Sequence, residues 1–138
     1  MLILGYDDSA GARRALDVTI EIAQRLGEGV VIAFAAQPPG RQVGDEYGAH
    51  LDALSEHGRS ITAEAVERAR AAGVEAQAHV AARRPAELLT ELAEQHGARA
   101  IVVGTYGESP LRGAVLGSTP HKLLQVSSVP VVAVPARG

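Results

Sequence analysis

The sequence predicts an α/β domain in which a mainly parallel sheet is covered by helices on both faces. Short apolar runs rich in Val and Ile alternate with longer stretches whose apolar residues recur at three- and four-residue steps. Glycine or proline stands at the junctions between them. Strands that alternate with helices in this way lie parallel and connect through right-handed crossovers.

Residues 1–5 are an apolar run closed by turn-forming residues, the pattern of a strand buried on both faces. A helix is expected from Ser9, its N-cap, because Ala12, Ala15, Leu16, Thr19, Ala23 and Leu26 fall on one side and Gly27 stands at the stop. Gly29 opens a second strand, whose centre at 31–34 is too short for a helix. Residues 38–47 contain Pro38-Pro39-Gly40 and Gly44 and read as a loop longer than most connections. A long helix over 49–72 sets Leu51, Leu54, Ile61, Ala65 and Ala69 on one side, with Gly58 as an interruption and Gly73 as the stop. Val74, Ala76, Ala78 and Val80 alternate with polar residues, as in a half-exposed strand. Pro85 suits the first turn of a third helix, Leu88, Leu89, Leu92 and Ala93 give its buried stripe, and Gly97 ends it. Residues 100–103 form a fourth buried strand, and a glycine-rich loop over 104–117 leads to a helix with Pro120 at its first position. Residues 129–134 form the fifth strand, apolar on both faces although it falls at the sheet's edge.

With 138 residues, 46% of them hydrophobic, the chain can bury a core of its own, and one domain over residues 1–138 is expected. Thirteen Lys and Arg against sixteen Asp and Glu leave a formal net charge of -3, so nucleic acid is not an expected partner. The absence of cysteine excludes disulfides, thiolate metal sites and a cysteine nucleophile. Phe34, Tyr6, Tyr47 and Tyr106 are the only aromatic residues, too few for a base-stacking platform. No run approaches the roughly 18 apolar residues of a membrane span, and the opening MLILGYDD has no basic region before its apolar run. A cytoplasmic protein without a membrane partner is expected.

In open parallel sheets ligands bind beyond the carboxyl ends of the strands, where the winding direction reverses. Two loops suit that position: Gly5 to Ser9 after the first strand, and Gly104 to Thr119 after the fourth. In the second, Gly104 and Gly107 are separated by two residues, and Gly117-Ser118 follows after nine more. Glycines let backbone N–H groups approach an anion, and Ser118, Thr119 and the start of the last helix add hydroxyls and partial positive charge, so the segment reads as a phosphate cradle. The same glycines also suit simple punctuation of a surface loop, and both readings stand on the residues alone. Asp7 can accept from a ribose or an adenine amino group, or can cap the first helix beside Ser9. There is no Gly-Lys-Ser/Thr and no G-x-G-x-x-G after a strand, so the P-loop and the dinucleotide fingerprint are absent. A triphosphate would then rest on backbone and hydroxyl groups, with a divalent ion, Mg or Mn, to offset the shortage of protein cations. His50, His57, His79, His96 and His121 form no metal signature, and Ser118 lies outside any G-x-S-x-G elbow, so no triad is assembled.

The combination of GYDDS at the first strand end, the glycine spacing above and a closing V-P-V-V-A-V resembles the universal stress protein family, in its ATP-binding branch, over essentially the whole chain. That resemblance implies a five-stranded parallel sheet ordered 3-2-1-4-5, ATP or AMP in the crevice, a regulatory role in the stress response and a homodimer. By position, it places Asp7 near the adenosine and Ala35 against adenine. It makes Gly104, Gly107, Gly117, Ser118 and Thr119 the phosphate and ribose contacts. Asp8 and Arg83 stand where the family often has glycine, and Glu108 and Pro110 replace residues that are commonly basic or glycine. A nucleotide-independent interaction module with the same fold is the alternative. Turnover, if any, is expected to be slow ATP hydrolysis. The dimer is expected to form through the C-terminal strand, two copies pairing edge to edge about a two-fold axis.

Overall fold

The structure, a computed structural model, describes residues 1–37, 44–105 and 116–136. Along these run β1 (Leu2–Gly5), α1 (Ala10–Leu26), β2 (Val30–Ala35), α2 (Asp45–Ala71), β3 (Ala76–Ala81), α3 (Pro85–His96), β4 (Ala100–Gly104), α4 (Ser118–Val126) and β5 (Val131–Val134). The strands form one parallel sheet in the order β3-β2-β1-β4-β5. Because side chains alternate across a strand, the sheet sorts them onto two faces. Leu2, Leu4, Val30, Ile32, Phe34, Ala100 and Val102 point to the face covered by α1 and α2. Ile3, Val31, Ala33, Ile101 and Val103 point to the face covered by α3 and α4. Both faces are buried, which is why the central strands read as unbroken apolar runs.

The helices begin and end where local chemistry dictates. Ser9 caps α1, its hydroxyl accepting from the amide of Ala12, and Gly27 closes the helix in the left-handed conformation. Pro85 occupies the first turn of α3, and Gly97 closes it in the same left-handed way. Thr19 and Thr62 are fully buried in α1 and α2, and their hydroxyls donate to the carbonyls of Ala15 and Gly58, so neither is left without a partner.

Several boundaries and contacts differ from the sequence expectation, and Leu26, expected on the buried side of α1, is exposed. Helix α2 starts at Asp45 instead of 49, with Asp45 and Glu46 in its first turn, where carboxylates favour the positive end of the helix dipole. Helix α4 starts at Ser118 with Gly117 as N-cap, so Pro120 sits in the first turn without being its first residue. Strand β5 starts at Val131, because the Ser127 hydroxyl accepts from the Val129 amide and donates to its carbonyl, holding the preceding residues in a turn. Ala78 is exposed on the edge strand β3. No helix among the described residues is long and apolar enough to cross a membrane.

Gly58 does not interrupt α2. It is buried within it, and a Cβ there would lie 2.3 Å from Cδ1 of Phe34 and 2.8 Å from its Cγ. Glycine at this point lets the helix lie directly on the aromatic ring. Replacing it with alanine would gain roughly 1 kcal/mol of helix propensity but force the ring or the helix to move, at about 1–3 kcal/mol or more. Gly58→Ala is therefore expected to lose about 1–2 kcal/mol net, read as a lower denaturation midpoint at unchanged slope.

Candidate functional site

The sheet's winding reverses at β1, which pairs with β2 on one side and β4 on the other. The connections from those two edges leave in opposite directions, so the carboxyl ends of β1 and β4 are left open between them. A cleft of about 520 Å³ occupies this place. Gly5 and Tyr6 form its floor, with Asp7 and Ser9 from the loop after β1. Ala33, Phe34, Ala35 and Gln37 come from the end of β2, Val103 and Gly104 from the end of β4, and Leu116 to Pro120 from the start of α4. Leu54 of α2 closes one side, and Pro85, Leu88 and Leu89 of α3 close the other.

Six of the seven residues singled out from the sequence, Asp7, Ala35, Gly104, Gly117, Ser118 and Thr119, line this one cleft. The seventh, Gly107, lies outside the described residues, as do Glu108, Pro110 and Arg112. Sequence reasoning missed the apolar walls. Leu54 and Gly58 are four apart on one helix face, and a glycine there is the one signal in the sequence that something large approaches; the structure shows it to be Phe34.

The glycines at the cleft have structural duties of their own. A Cβ on Gly104 would lie 2.8 Å from the carbonyl carbon and 3.0 Å from the oxygen of Gly11, so the first turn of α1 crosses the end of β4 at backbone contact. The Gly117 amide donates to the Thr105 carbonyl, which ties the end of β4 to the start of α4. That amide is therefore engaged within the chain. The first carbonyl bond of α4 runs from the His121 amide to Gly117, and no side chain caps the helix. Pro120 has no N–H, so the open donors of this helix start are the amides of Ser118 and Thr119.

The loop after β1 is held by its own side chains. One oxygen of Asp7 accepts from the Ser9 amide at 3.1 Å and its hydroxyl at 2.5 Å, while that hydroxyl accepts from the amide of Ala12. Asp7 thus holds the N-cap residue Ser9 without itself accepting from an amide of α1, while also lining the cleft. Asp8 adopts a left-handed φ of 62°, a conformation that aspartate tolerates better than most residues. Its carboxylate accepts from Arg13 at 2.9 Å and from the Tyr6 hydroxyl at 3.1 Å. The hydrogen bond from Arg13, ahead of that from Tyr6, holds the Asp8 carboxyl below its ordinary value. Burial, followed by the bond to Asp8, pushes the Tyr6 phenol from its ordinary 10.0 up to about 12. Among the described residues, no group of three or more His, Asp or Glu is arranged to hold a metal ion.

A phenol whose pKa is raised on folding keeps its proton in the native state over a range where the unfolded chain has lost it. Its contribution to stability is complete below about pH 10 and is lost as pH rises through 10 to 12. The unfolding temperature is accordingly expected to fall across that window, and to fall less steeply in Tyr6→Phe. Phenolate absorbance of the wild type should show a late-titrating tyrosine that the variant lacks.

Comparison with known proteins places this geometry. The sequence model of the universal stress protein family matches residues 1–135. The universal stress protein YxiE of Bacillus subtilis is 27% identical over 143 residues, covering 96% of this chain and 97% of its own. Among solved structures, a universal stress protein in complex with cAMP is 29% identical with a TM-score of 0.69, covering 98% of this chain and 95% of the other. The universal stress protein UspA of Lactobacillus plantarum, 18% identical, shares the fold with a TM-score of 0.87 over 97% of both chains. A family match from end to end of the sheet, on the fold and order of strands described above, leaves one conclusion: this chain belongs to the universal stress protein family.

Proposed function

We propose that this chain is an adenine-nucleotide-binding regulatory protein of the stress response, acting as a homodimer. The observation that carries the reading is the meeting, in one cleft, of Asp7, the apolar wall around Ala35 and the uncapped start of α4. An adenine ring fits between aliphatic walls, and Asp7 accepts from the adenosine. Phosphate is drawn to the amides and hydroxyls of Ser118 and Thr119 at the positive end of the helix. Gly104 shapes the floor, and Gly107 is assigned to the same phosphate contacts from its place in the glycine pattern. The solved relative with bound cAMP supports an adenine nucleotide as the ligand class. ATP or AMP is the proposed ligand, and Mg or Mn would be carried with the phosphates, the described lining residues offering one carboxylate, Asp7, and no group of three metal-ligating side chains. A cytoplasmic location is part of the same reading.

A second reading, an interaction module that works without nucleotide, draws on the two glycines whose duties are internal: Gly104 accommodates α1, and the Gly117 amide is bound to Thr105. Mass spectrometry of small molecules released from freshly purified, denatured protein separates the two. Ser118→Pro probes the helix start, because proline suits a first helical position and Gly117 already has the extended ψ of 171° that a following proline prefers. It removes one amide donor and one hydroxyl. Loss of a hydrogen bond to a charged group, worth about 1.5–3 kcal/mol, should weaken nucleotide binding at least about tenfold by calorimetry, with the unfolding midpoint little changed. Equal affinity would take α4 out of the site.

The homodimer is proposed through β5. This strand pairs with β4 on one side, Val131, Val132 and Ala133 are only half-buried, and Leu124 and Val126 of α4 are exposed nearby in sequence. An apolar edge without charge invites an antiparallel partner, and a second copy of the same strand satisfies both edges. Light scattering should give twice the monomer mass at micromolar concentration, and Val132→Lys should shift it toward the monomer by placing a charge in the seam. A monomer mass for the wild type would remove the dimer and leave the nucleotide site standing.

A further inference from the structure

The order of the strands lays out the cleft from one side to the other. The Gly117 amide donates to the Thr105 carbonyl, which sets the start of α4 beside the end of β4. The Tyr6 amide donates to the Ala33 carbonyl at 2.9 Å, which sets the loop carrying Asp7 beside the end of β2. Since β1 lies between β4 and β2, a nucleotide with its phosphate at α4 and its sugar near Asp7 brings its base to the end of β2. There β2 outlasts β1: beyond the bond from Tyr6, the chain stays paired to β3 through the Ala36 amide and the Ala81 carbonyl at 2.8 Å. Along this extended stretch the side chains keep alternating. Phe34 and Ala36 belong to the face under α1 and α2, and Ala33 and Ala35 to the opposite face. Gln37 follows on the side of Ala35 and lines the cleft, exposed at its rim. Two residues of strand span about 7 Å, so a flat base resting on Ala33 and Ala35 brings its far edge to the Gln37 carboxamide.

We propose that Gln37 selects the base, its side-chain oxygen accepting from the 6-amino group of adenine and its NH2 donating to N7. The inference rests on the adenine-nucleotide reading above and goes further by naming the residue that tells adenine from other purines. The remaining polar side chains among the described lining residues have other tasks. The Tyr6 hydroxyl donates to Asp8 at 3.1 Å, Ser9 and Asp7 are bonded to each other, and Ser118 and Thr119 stand at the phosphate end. A carboxamide presents one acceptor and one donor side by side in a plane, which matches the 6-amino group and N7 of adenine. Guanine has an oxygen at position 6 beside N7, two acceptors in a row, and the Gln37 oxygen would then face another oxygen. Because Gln37 is exposed, water competes for both bonds, and their effect is a ratio between bases more than a large gain in affinity.

The test is calorimetry of the full chain with AMP, GMP and 7-deaza-AMP, in which a C–H group replaces N7. The wild type should bind AMP about fivefold more tightly than 7-deaza-AMP and about tenfold more tightly than GMP. In Gln37→Ala the first ratio should collapse to within about twofold, since no donor is left for N7 to lose. Gln37→Arg offers two donors to the paired acceptors of guanine and should shift the ratio of AMP to GMP affinity at least about tenfold toward GMP. Each quantity is a ratio within one variant, so a general loss of binding or stability does not enter it. A wild type that binds AMP and 7-deaza-AMP alike, or a ratio unmoved in Gln37→Ala, would overturn the inference while leaving nucleotide binding intact. A folded wild type that binds none of the three would overturn the reading beneath it as well.

Discussion

The carboxyl edge of this sheet depends on how closely the first turn of α1 lies on the end of β4. Gly104 permits backbone contact with Gly11, where any side chain would push the helix away. That approach sets the distance between the loop after β1 and the segment after β4. The order β2-β1-β4 leaves an opening there, but an opening alone has no defined shape. With α1 held against β4, Asp7 and the start of α4 share one cleft. The constraint is steric and lies in the backbone, so no rotamer change can absorb it.

The loop after β1 shows how a short segment is stiffened without being buried. Asp7 and Ser9 satisfy one another and the start of α1, while Asp8, in a left-handed turn, is held from two sides by Tyr6 and Arg13. Asp8 has a positive φ, a region that glycine enters freely and that aspartate is among the few other residues to follow. The hydrogen bonds to Arg13 and Tyr6 offset the backbone cost that the aspartate introduces. In this chain the position is thus governed by backbone conformation, and Asp8 meets it with two side-chain contacts.

The strands, the helix ends and the position of the cleft were legible in the sequence because each rests on local chemistry. Gly27 and Gly97 end helices by backbone conformation, Ser9 and Pro85 begin them by hydrogen-bond supply, and the central strands declare two-sided burial through unbroken apolar runs. What was not legible depends on contacts distant in sequence. Gly58 read as a break in a helix, because its helical spacing from Leu54 shows that something large approaches there but does not reveal that it is Phe34. The start of α2 was set four residues late, because the loop's prolines and glycines outweighed Asp45 and Glu46 as a helix start. The apolar walls of the cleft, Leu54, Leu88 and Leu89, looked like ordinary core positions, since a residue at the end of a buried stripe has the same pattern whether it meets another side chain or an opening.

The glycines of the fourth loop carry a broader point about motifs. From the residues alone, each glycine near an anion site reads as room for a phosphate. Here one serves the packing of two elements and another closes a loop through its amide. Among the described residues, the glycines of this pattern therefore serve the chain's own packing and hydrogen bonding. A spaced glycine pattern specifies the backbone path that brings a helix start to the sheet's edge. The partial positive charge at that edge comes from the helix start and not from the glycines themselves.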